Sequence, residues 1–254
     1  MATTHANRLK GKVAIVTGSS KGLGAGIATQ FALEGASVVV NYSASKDAAD
    51  KVVAEIKSNG GTAVALKADM GNPKDVEAIF AATHKRFGRL DILVNNAGVY
   101  DFQPIEALSL ESFRKHFELN VFGYLLAIRE SLKYFGDEGG SIINMGSTVT
   151  IYGPVNASIY TATKGAIDGL TRALSNELAP RKIRVNVIKP GVVVTEGLTA
   201  GGFLEGEFGD EITAATPLKR LGTPEDVAPA AVYLASSESS WMTGEAIILS
   251  GGHR

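Results

Sequence analysis

Lys12-Val13-Ala14-Ile15-Val16-Thr17-Gly18-Ser19-Ser20-Lys21-Gly22-Leu23-Gly24 is the stretch that decides the fold. Its opening segment, Lys12 to Thr17, is largely apolar and β-branched, which suits a strand buried on both faces. A glycine-rich turn follows, and then a helical pattern from about Leu23 to Leu33, stopped by Gly35. Glycines at Gly18, Gly22 and Gly24 permit a tight turn and close backbone approach. The helix beyond them offers unpaired N–H groups and a partial positive charge, a seat for a phosphate group. The spacing, Gly-x-x-x-Gly-x-Gly, differs from the dinucleotide fingerprint Gly-x-Gly-x-x-Gly. Taken alone, it also suits a simple packing turn.

Working outward, the strand–helix alternation repeats along the chain. Strands are expected at Ser37–Asn41, Thr62–Lys67, Asp91–Val94, Ser141–Met145, Ile183–Ile188 and Ala246–Leu249. Helices are expected at Ala44–Ser58, from Pro73 to about Phe87, from Leu110 to Tyr134 and from Ser158 to Leu178, with another opened by Thr223-Pro224-Glu225-Asp226. Such alternation implies crossover connections and a mainly parallel sheet. With no linker-like stretch and no repeat, residues 1–254 read as one domain: α/β, doubly wound, Rossmann-like, with a mainly parallel seven-stranded sheet. Sheets of this kind bind ligands beyond the carboxyl ends of their strands, at the switch point.

Composition narrows the function classes. The formal net charge is −1 and hydrophobic residues make up 45% of the chain. No long basic run is present, which argues against nucleic acid or an anionic membrane as partner. Cysteine is absent, which excludes disulfides, thiolate nucleophiles and cysteine-bound metals. Met1 to Lys10 lacks the apolar core of a signal peptide, and no run approaches a membrane span, so the default expectation is a soluble cytoplasmic protein. The histidines (His5, His84, His116, His253) show no ligand spacing, and no metal is expected.

A chemical centre is suggested by Tyr160-Thr161-Ala162-Thr163-Lys164. A phenol and an ammonium one helical turn apart share a face, with Cβ atoms about 5–6 Å apart. A nearby cation lowers a tyrosine pKa from about 10, so the pair is a candidate general acid/base. Tyr42 and Lys46 have the same spacing, so spacing alone does not choose between them. Tyr160 is preceded by Ser147 at the end of the fifth strand, where a hydroxyl can bond a substrate oxygen. Tyr42 has no such serine.

Thr17-Gly18-x-x-x-Gly22-x-Gly24, Asn95-Asn96-Ala97-Gly98, Ser147, Tyr160-x-x-x-Lys164 and Pro190-Gly191 together resemble the short-chain dehydrogenase/reductase family, in family order, from about Lys12 to Gly252. The resemblance implies a catalytic tetrad of Asn120, Ser147, Tyr160 and Lys164. It implies a hydride transferred between a nicotinamide and a small carbonyl or secondary alcohol, with Tyr160 exchanging the proton. By the same analogy, Lys164 holds the nicotinamide ribose and Asn120 positions a water leading to solvent.

The cofactor residues implied are Gly18, Ser20, Lys21, Gly22, Leu23, Gly24, Asn41, Tyr42, Ser43, Asp69, Met70, Asn96, Ala97, Gly98, Tyr160, Lys164, Pro190, Gly191, Val193 and Thr195. The second strand ends on Asn41, not on the carboxylate that would hold a ribose 2′-hydroxyl, and Lys21 adds positive charge. Both favour NADP(H), and Asn41→Asp is expected to shift preference towards NAD(H).

Within the family the chain is most similar to 3-oxoacyl-carrier-protein reductases and glucose dehydrogenases. Asp137, Glu138 and Glu177 weaken a carrier-protein partner, and a reductase of small ketones is preferred. A non-catalytic NADPH-binding regulator is the alternative from another class. Tyr100, Phe102, Ile151, Tyr152, Val155 and Asn156 are candidate pocket residues. Gly197 to Ala215, with Phe203, Leu204 and Phe208, is expected to form a mobile lid. The resemblance also implies a homotetramer, assembled through the helices around Leu110–Tyr134 and Ser158–Leu178 and the segment Trp241–Gly252.

Overall fold

The computed structural model describes residues 7–200 and 207–253. Seven strands form one sheet: β1 (Val13–Val16), β2 (Ser37–Tyr42), β3 (Thr62–Lys67), β4 (Ile92–Asn95), β5 (Gly140–Met145), β6 (Ile183–Pro190) and β7 (Ala246–Leu249). Their order is β3-β2-β1-β4-β5-β6-β7, and every pairing is parallel. The helices are α1 (Gly22–Leu33), α2 (Lys46–Ser58), α3 (Pro73–Phe87), α4 (Leu110–Phe117), α5 (Gly123–Ser131), α6 (Val149–Tyr152), α7 (Ser158–Leu178), α8 (Glu196–Ala200), α9 (Glu207–Ala215) and α10 (Pro224–Ala235).

The strands are apolar on both faces because both faces are covered. Ala14, Val16, Val38 and Val40 point into one core with Ile27 and Phe31 of α1 and Val227 and Ala231 of α10. Ile15, Val39, Leu93 and Ile142 point the other way, against Ile79 and Phe80 of α3 and Leu126 and Ile128 of α5. Alternation along each strand thus feeds two layers of helix. The chain reverses direction across the sheet between β1 and β4, which opens a crevice at their carboxyl ends.

One expected element differs. The helix from Leu110 to Tyr134 is not continuous: α4 and α5 are joined by a π-helical turn, Glu118–Phe122, and α5 ends at Ser131. The wider turn seats Asn120, fully buried, against the loop after β4. Its Oδ1 accepts from Val99 N at 2.8 Å, and its Nδ2 donates to Val99 O at 2.8 Å and to Thr163 Oγ1 at 3.2 Å. Gly123 follows because a Cβ there would lie 2.8 Å from Met70 O. Single π turns of this kind occur often at functional sites.

Candidate active site

The turn after β1 and the turn after β4 are locked to each other. Thr17 Oγ1 accepts from Asn96 N at 2.9 Å and Ala97 N at 3.0 Å while donating to Val94 O. Asn96 Nδ2 donates back to Thr17 O at 2.9 Å and Gly18 O at 3.0 Å. Two glycines make this closeness possible. A Cβ on Gly18, which has φ +61°, would sit 2.8 Å from Ala97 Cα. One on Gly24 would sit 2.5 Å from Asn96 Nδ2. Both distances are well inside van der Waals contact, so any side chain there forces the two turns apart.

A cavity of about 510 Å³ runs from this crevice to the start of α7. Its walls include every expected cofactor residue except Gly24, together with Ser147. Gly24 is absent because its role is packing: it lies behind the turn, against Asn96. Asn120 does not line the cavity either, since its amide is committed to Val99 and Thr163.

At the other end of the cavity, α7 and the loop after β5 converge. Lys164 is 4% exposed, and its Nζ donates to Met145 O at 2.7 Å. That nitrogen lies 5.6 Å from the Tyr160 ring centroid and 5.5 Å from that of Tyr124. Desolvation pushes the Tyr160 phenol up to about 12, with the neighbouring Ser147 hydroxyl pulling the other way. Burial pulls Lys164 down to about 8, opposed by the negative charge of Asp168.

The expectation of a phenol lowered by Lys164 therefore needs correction. Here desolvation dominates, and the ammonium is spent on Met145 O. Behind the pair, buried amides tie the strands to the helix. Asn95 Nδ2 donates to Asn144 Oδ1, and Asn144 Nδ2 to Thr171 Oγ1, each at 3.0 Å.

The expectation for Asn41 also changes. Asn41 borders the cavity but is 1% exposed. Its Oδ1 accepts from Gly18 N at 2.9 Å, and its Nδ2 donates to Ala68 O at 3.0 Å. The carboxamide is therefore a structural brace of the glycine turn, and a carboxylate there would lose the donor.

On the substrate side, Tyr100, Phe102 and Tyr152 line the cavity as expected. The rings of Tyr100 and Phe102 stand 6.2 and 6.4 Å from that of Tyr160. Ile151, Val155 and Asn156 do not line it; Val155 is 86% exposed, and Asn156 turns the backbone at φ +63°. Val149, Pro154, Leu198 and Ile212, which the sequence reading passed over, take their places. Within the segment expected to act as a lid, the described residues belong to α8 and α9. Phe203, Leu204 and the side chain of Phe208 lie outside the described residues.

Glu196 was also missed. Its Oε2 accepts from Gly22 N at 2.9 Å, at the start of α1. No acidic residue lies in that helix's own first turn, and its N-cap, Lys21, makes no side-chain cap. A carboxylate already resting on this N–H shows that the turn accommodates an anion, as a dinucleotide pyrophosphate requires. The cavity, the glycine cradle and this anion seat all fit a dinucleotide. Among the described residues, no cluster of histidine, aspartate and glutamate is placed to hold a metal, and no helix is long and apolar enough to cross a membrane.

Comparison with known proteins agrees with this geometry. A family model described as enoyl-(acyl carrier protein) reductase matches residues 18–254. An uncharacterized oxidoreductase of Methylorubrum extorquens is 49% identical over 248 residues, covering 98% of this chain and 100% of that one. Versicolorin reductase 1 of Aspergillus parasiticus is 37% identical over 261 residues, 99% of each chain. The solved structure of an angucycline C-6 ketoreductase with bound NADP has a TM-score of 0.91 at 33% identity, covering 97% of this chain and 96% of that one.

A parallel sheet with a glycine cradle at its switch point and a serine–tyrosine–lysine group beside it defines an oxidoreductase with a nicotinamide dinucleotide as redox partner. The chain belongs to the short-chain dehydrogenase/reductase family.

Proposed function

We propose that this protein is an NADP(H)-dependent reductase of ketones carried on cyclic or aromatic skeletons, and that it runs the reverse alcohol oxidation when product is in excess. The observation that carries the reading is the convergence of Ser147, Tyr160 and Lys164 at one end of a cavity whose other end is the glycine turn. When bound, the nicotinamide dinucleotide supplies or accepts the hydride.

This chain's residues handle the oxygen and its proton. Ser147 Oγ donates a hydrogen bond to the substrate oxygen and fixes its position. Tyr160, held protonated by desolvation at neutral pH, delivers its proton to that oxygen as negative charge builds there. Lys164 holds a positive charge against the resulting phenolate and moderates its cost. Asn120, through Val99 and Thr163, fixes the wall opposite α7.

NADP(H) is favoured by Lys21 on the cavity wall and by the hydroxyls of Ser43 and Ser45 beside it, with no carboxylate ending β2. Support for a cyclic or aromatic substrate comes from the Tyr100 and Phe102 rings beside Tyr160 and from the names of two relatives, versicolorin reductase and angucycline ketoreductase. A homotetramer is proposed on the family resemblance, with the exposed Phe113, stacked on the half-buried Phe117 of α4, and the exposed Trp241 as contact candidates.

The test is NADPH oxidation across aryl, polycyclic and aliphatic ketones and β-ketoacyl thioesters, with wild type and Tyr160→Phe side by side. The wild type is expected to turn over the cyclic ketones. The variant is expected to lose at least about 10²-fold in kcat while binding NADPH normally. Near-normal turnover by Tyr160→Phe would remove the assignment.

A further inference from the structure

A second ionic group lies directly behind the catalytic pair. Asp168 is one helical turn beyond Lys164 on α7. Its Oδ2 is 2.6 Å from Lys189 Nζ, and the two side chains are 14% and 13% exposed. Lys189 is the penultimate residue of β6, immediately before Pro190 and Gly191. The same Nζ donates to Thr150 Oγ1 at 3.1 Å, and that hydroxyl donates to Ser147 O at 3.1 Å. One chain of contacts thus runs from the helix of Tyr160 and Lys164, through the strand leading into the cofactor wall, to the backbone of Ser147.

Lys189 is largely buried near the end of β6 and requires a counter-charge, and Asp168 provides it. Yet Asp168 is not saturated: its Oδ1 is buried and has no hydrogen-bond partner among the described residues. The carboxylate is therefore shared between two cations, Lys189 by contact and Lys164 through space.

We propose that Asp168 and Lys189 are positioning residues of the reaction: Asp168 keeps Lys164 charged, Lys189 limits how strongly it does so, and together they hold the Ser147 loop against α7. The inference rests on the reading of Ser147, Tyr160 and Lys164 given above. The groups facing Lys164 are few. Tyr160 and Asp168 share its helix, the Tyr124 ring approaches from α5, Met145 O approaches from β5, and Lys189 acts from β6 through Asp168. Of these, Asp168 and Lys189 form an ion pair, so beyond burial the charge state of Lys164 is biased by two groups of opposite sign. Burial already brings Lys164 down to about 8. The alkaline limb of the reduction therefore lies within reach of an ordinary pH profile, well below the titration of Tyr160.

Opposite signs give a test that a purely structural role would not pass. The pH dependence of kcat/KM for NADPH-driven ketone reduction is measured for wild type, Asp168→Asn, Lys189→Met, Lys189→Arg and the Asn/Met double variant, with thermal melts to establish folding. Asp168→Asn removes the negative charge, so Lys164 loses its proton earlier and the alkaline limb moves down by about one pH unit. Lys189→Met removes the opposing positive charge, so the limb moves up by a similar amount. The double variant returns close to wild type, and Lys189→Arg leaves the limb in place.

If Asp168→Asn does not fold, the upward movement in Lys189→Met against the unmoved Lys189→Arg decides the matter. Limbs that stay put, or that move the same way in both single variants, overturn the proposal. Activity surviving in Tyr160→Phe would instead overturn the catalytic reading beneath it, so the two failures are distinguishable.

Discussion

Asn41→Asp is the substitution that separates a sequence argument from a structural one most sharply. Read as sequence, it installs a ribose-binding carboxylate and turns the enzyme towards NAD(H). In the structure, Asn41 is 1% exposed and bridges Gly18 N and Ala68 O at 2.9 and 3.0 Å. The introduced carboxyl still accepts from Gly18 N. Where Nδ2 donated, however, it sets an oxygen against the oxygen of Ala68. A lost buried hydrogen bond, a stranded acceptor and a desolvated charge together cost about 3 kcal/mol.

For a chain of this size, each kcal/mol is worth about 2–4 °C, so Tm falls by roughly 6–12 °C. The pH signature is specific. The protonated acid can donate to Ala68 O, so the folded-state pKa lies above the unfolded value of about 3.9. The folded state then binds more protons, and stability is lost as pH rises through the folded pKa. The deficit relative to wild type is therefore larger at pH 8 than at pH 5. Differential scanning calorimetry at both pH values checks this, alongside titrations with NADPH and NADH. Affinity for both is expected to weaken as the Gly18 turn loosens. An unchanged Tm together with a clean switch to NADH would refute the reasoning.

Two further substitutions test the cradle. Gly24→Ala places a methyl 2.5 Å from Asn96 Nδ2 and 2.6 Å from Gly18 O, so it forces the two turns apart. It is expected to cost about 1–3 kcal/mol in a melt and to weaken dinucleotide binding by calorimetry. Glu196→Gln removes a negative charge from the start of α1, which the pyrophosphate must otherwise displace. Cofactor affinity is expected to rise about two- to fivefold at low salt, from about 0.3–1 kcal/mol of charge–helix interaction, and the gain should shrink as salt is raised.

The sheet was legible because parallel strands covered on both faces must be apolar throughout, and runs such as Val13–Val16 and Ile92–Val94 have no other plausible home. The cavity wall was legible for a related reason. Its residues follow directly on strand ends, where strand position fixes their place. What escaped reading depended on contacts between distant segments. The spacing of Tyr160 and Lys164 gives their shared face but not the desolvation that raises one and lowers the other. Asn41 lies next to the end of the right strand, but which groups its amide meets is decided by Gly18 and Ala68, which lie far from it in sequence. Glu196 caps a helix 174 positions away. Lys189 did carry a signal: a lysine directly after Val187-Ile188 at the end of a strand covered on both faces implies a buried partner, though not its identity.

The π turn at Glu118–Phe122 sets an angular phase. One residue beyond the α-helical count lets the chain enter as α4 and leave as α5 with its faces rotated by about 100°. That single offset serves two ends. It turns Asn120 towards Val99 and Thr163, and it turns Leu126 and Ile128 onto Ile79 and Phe80. The wall around Val99 and the core are therefore tuned by the same residue count. Deleting any one position in the turn would detune both together, whereas replacing the outward-facing Phe122, 47% exposed, leaves the phase intact. In this segment, length is constrained more tightly than composition.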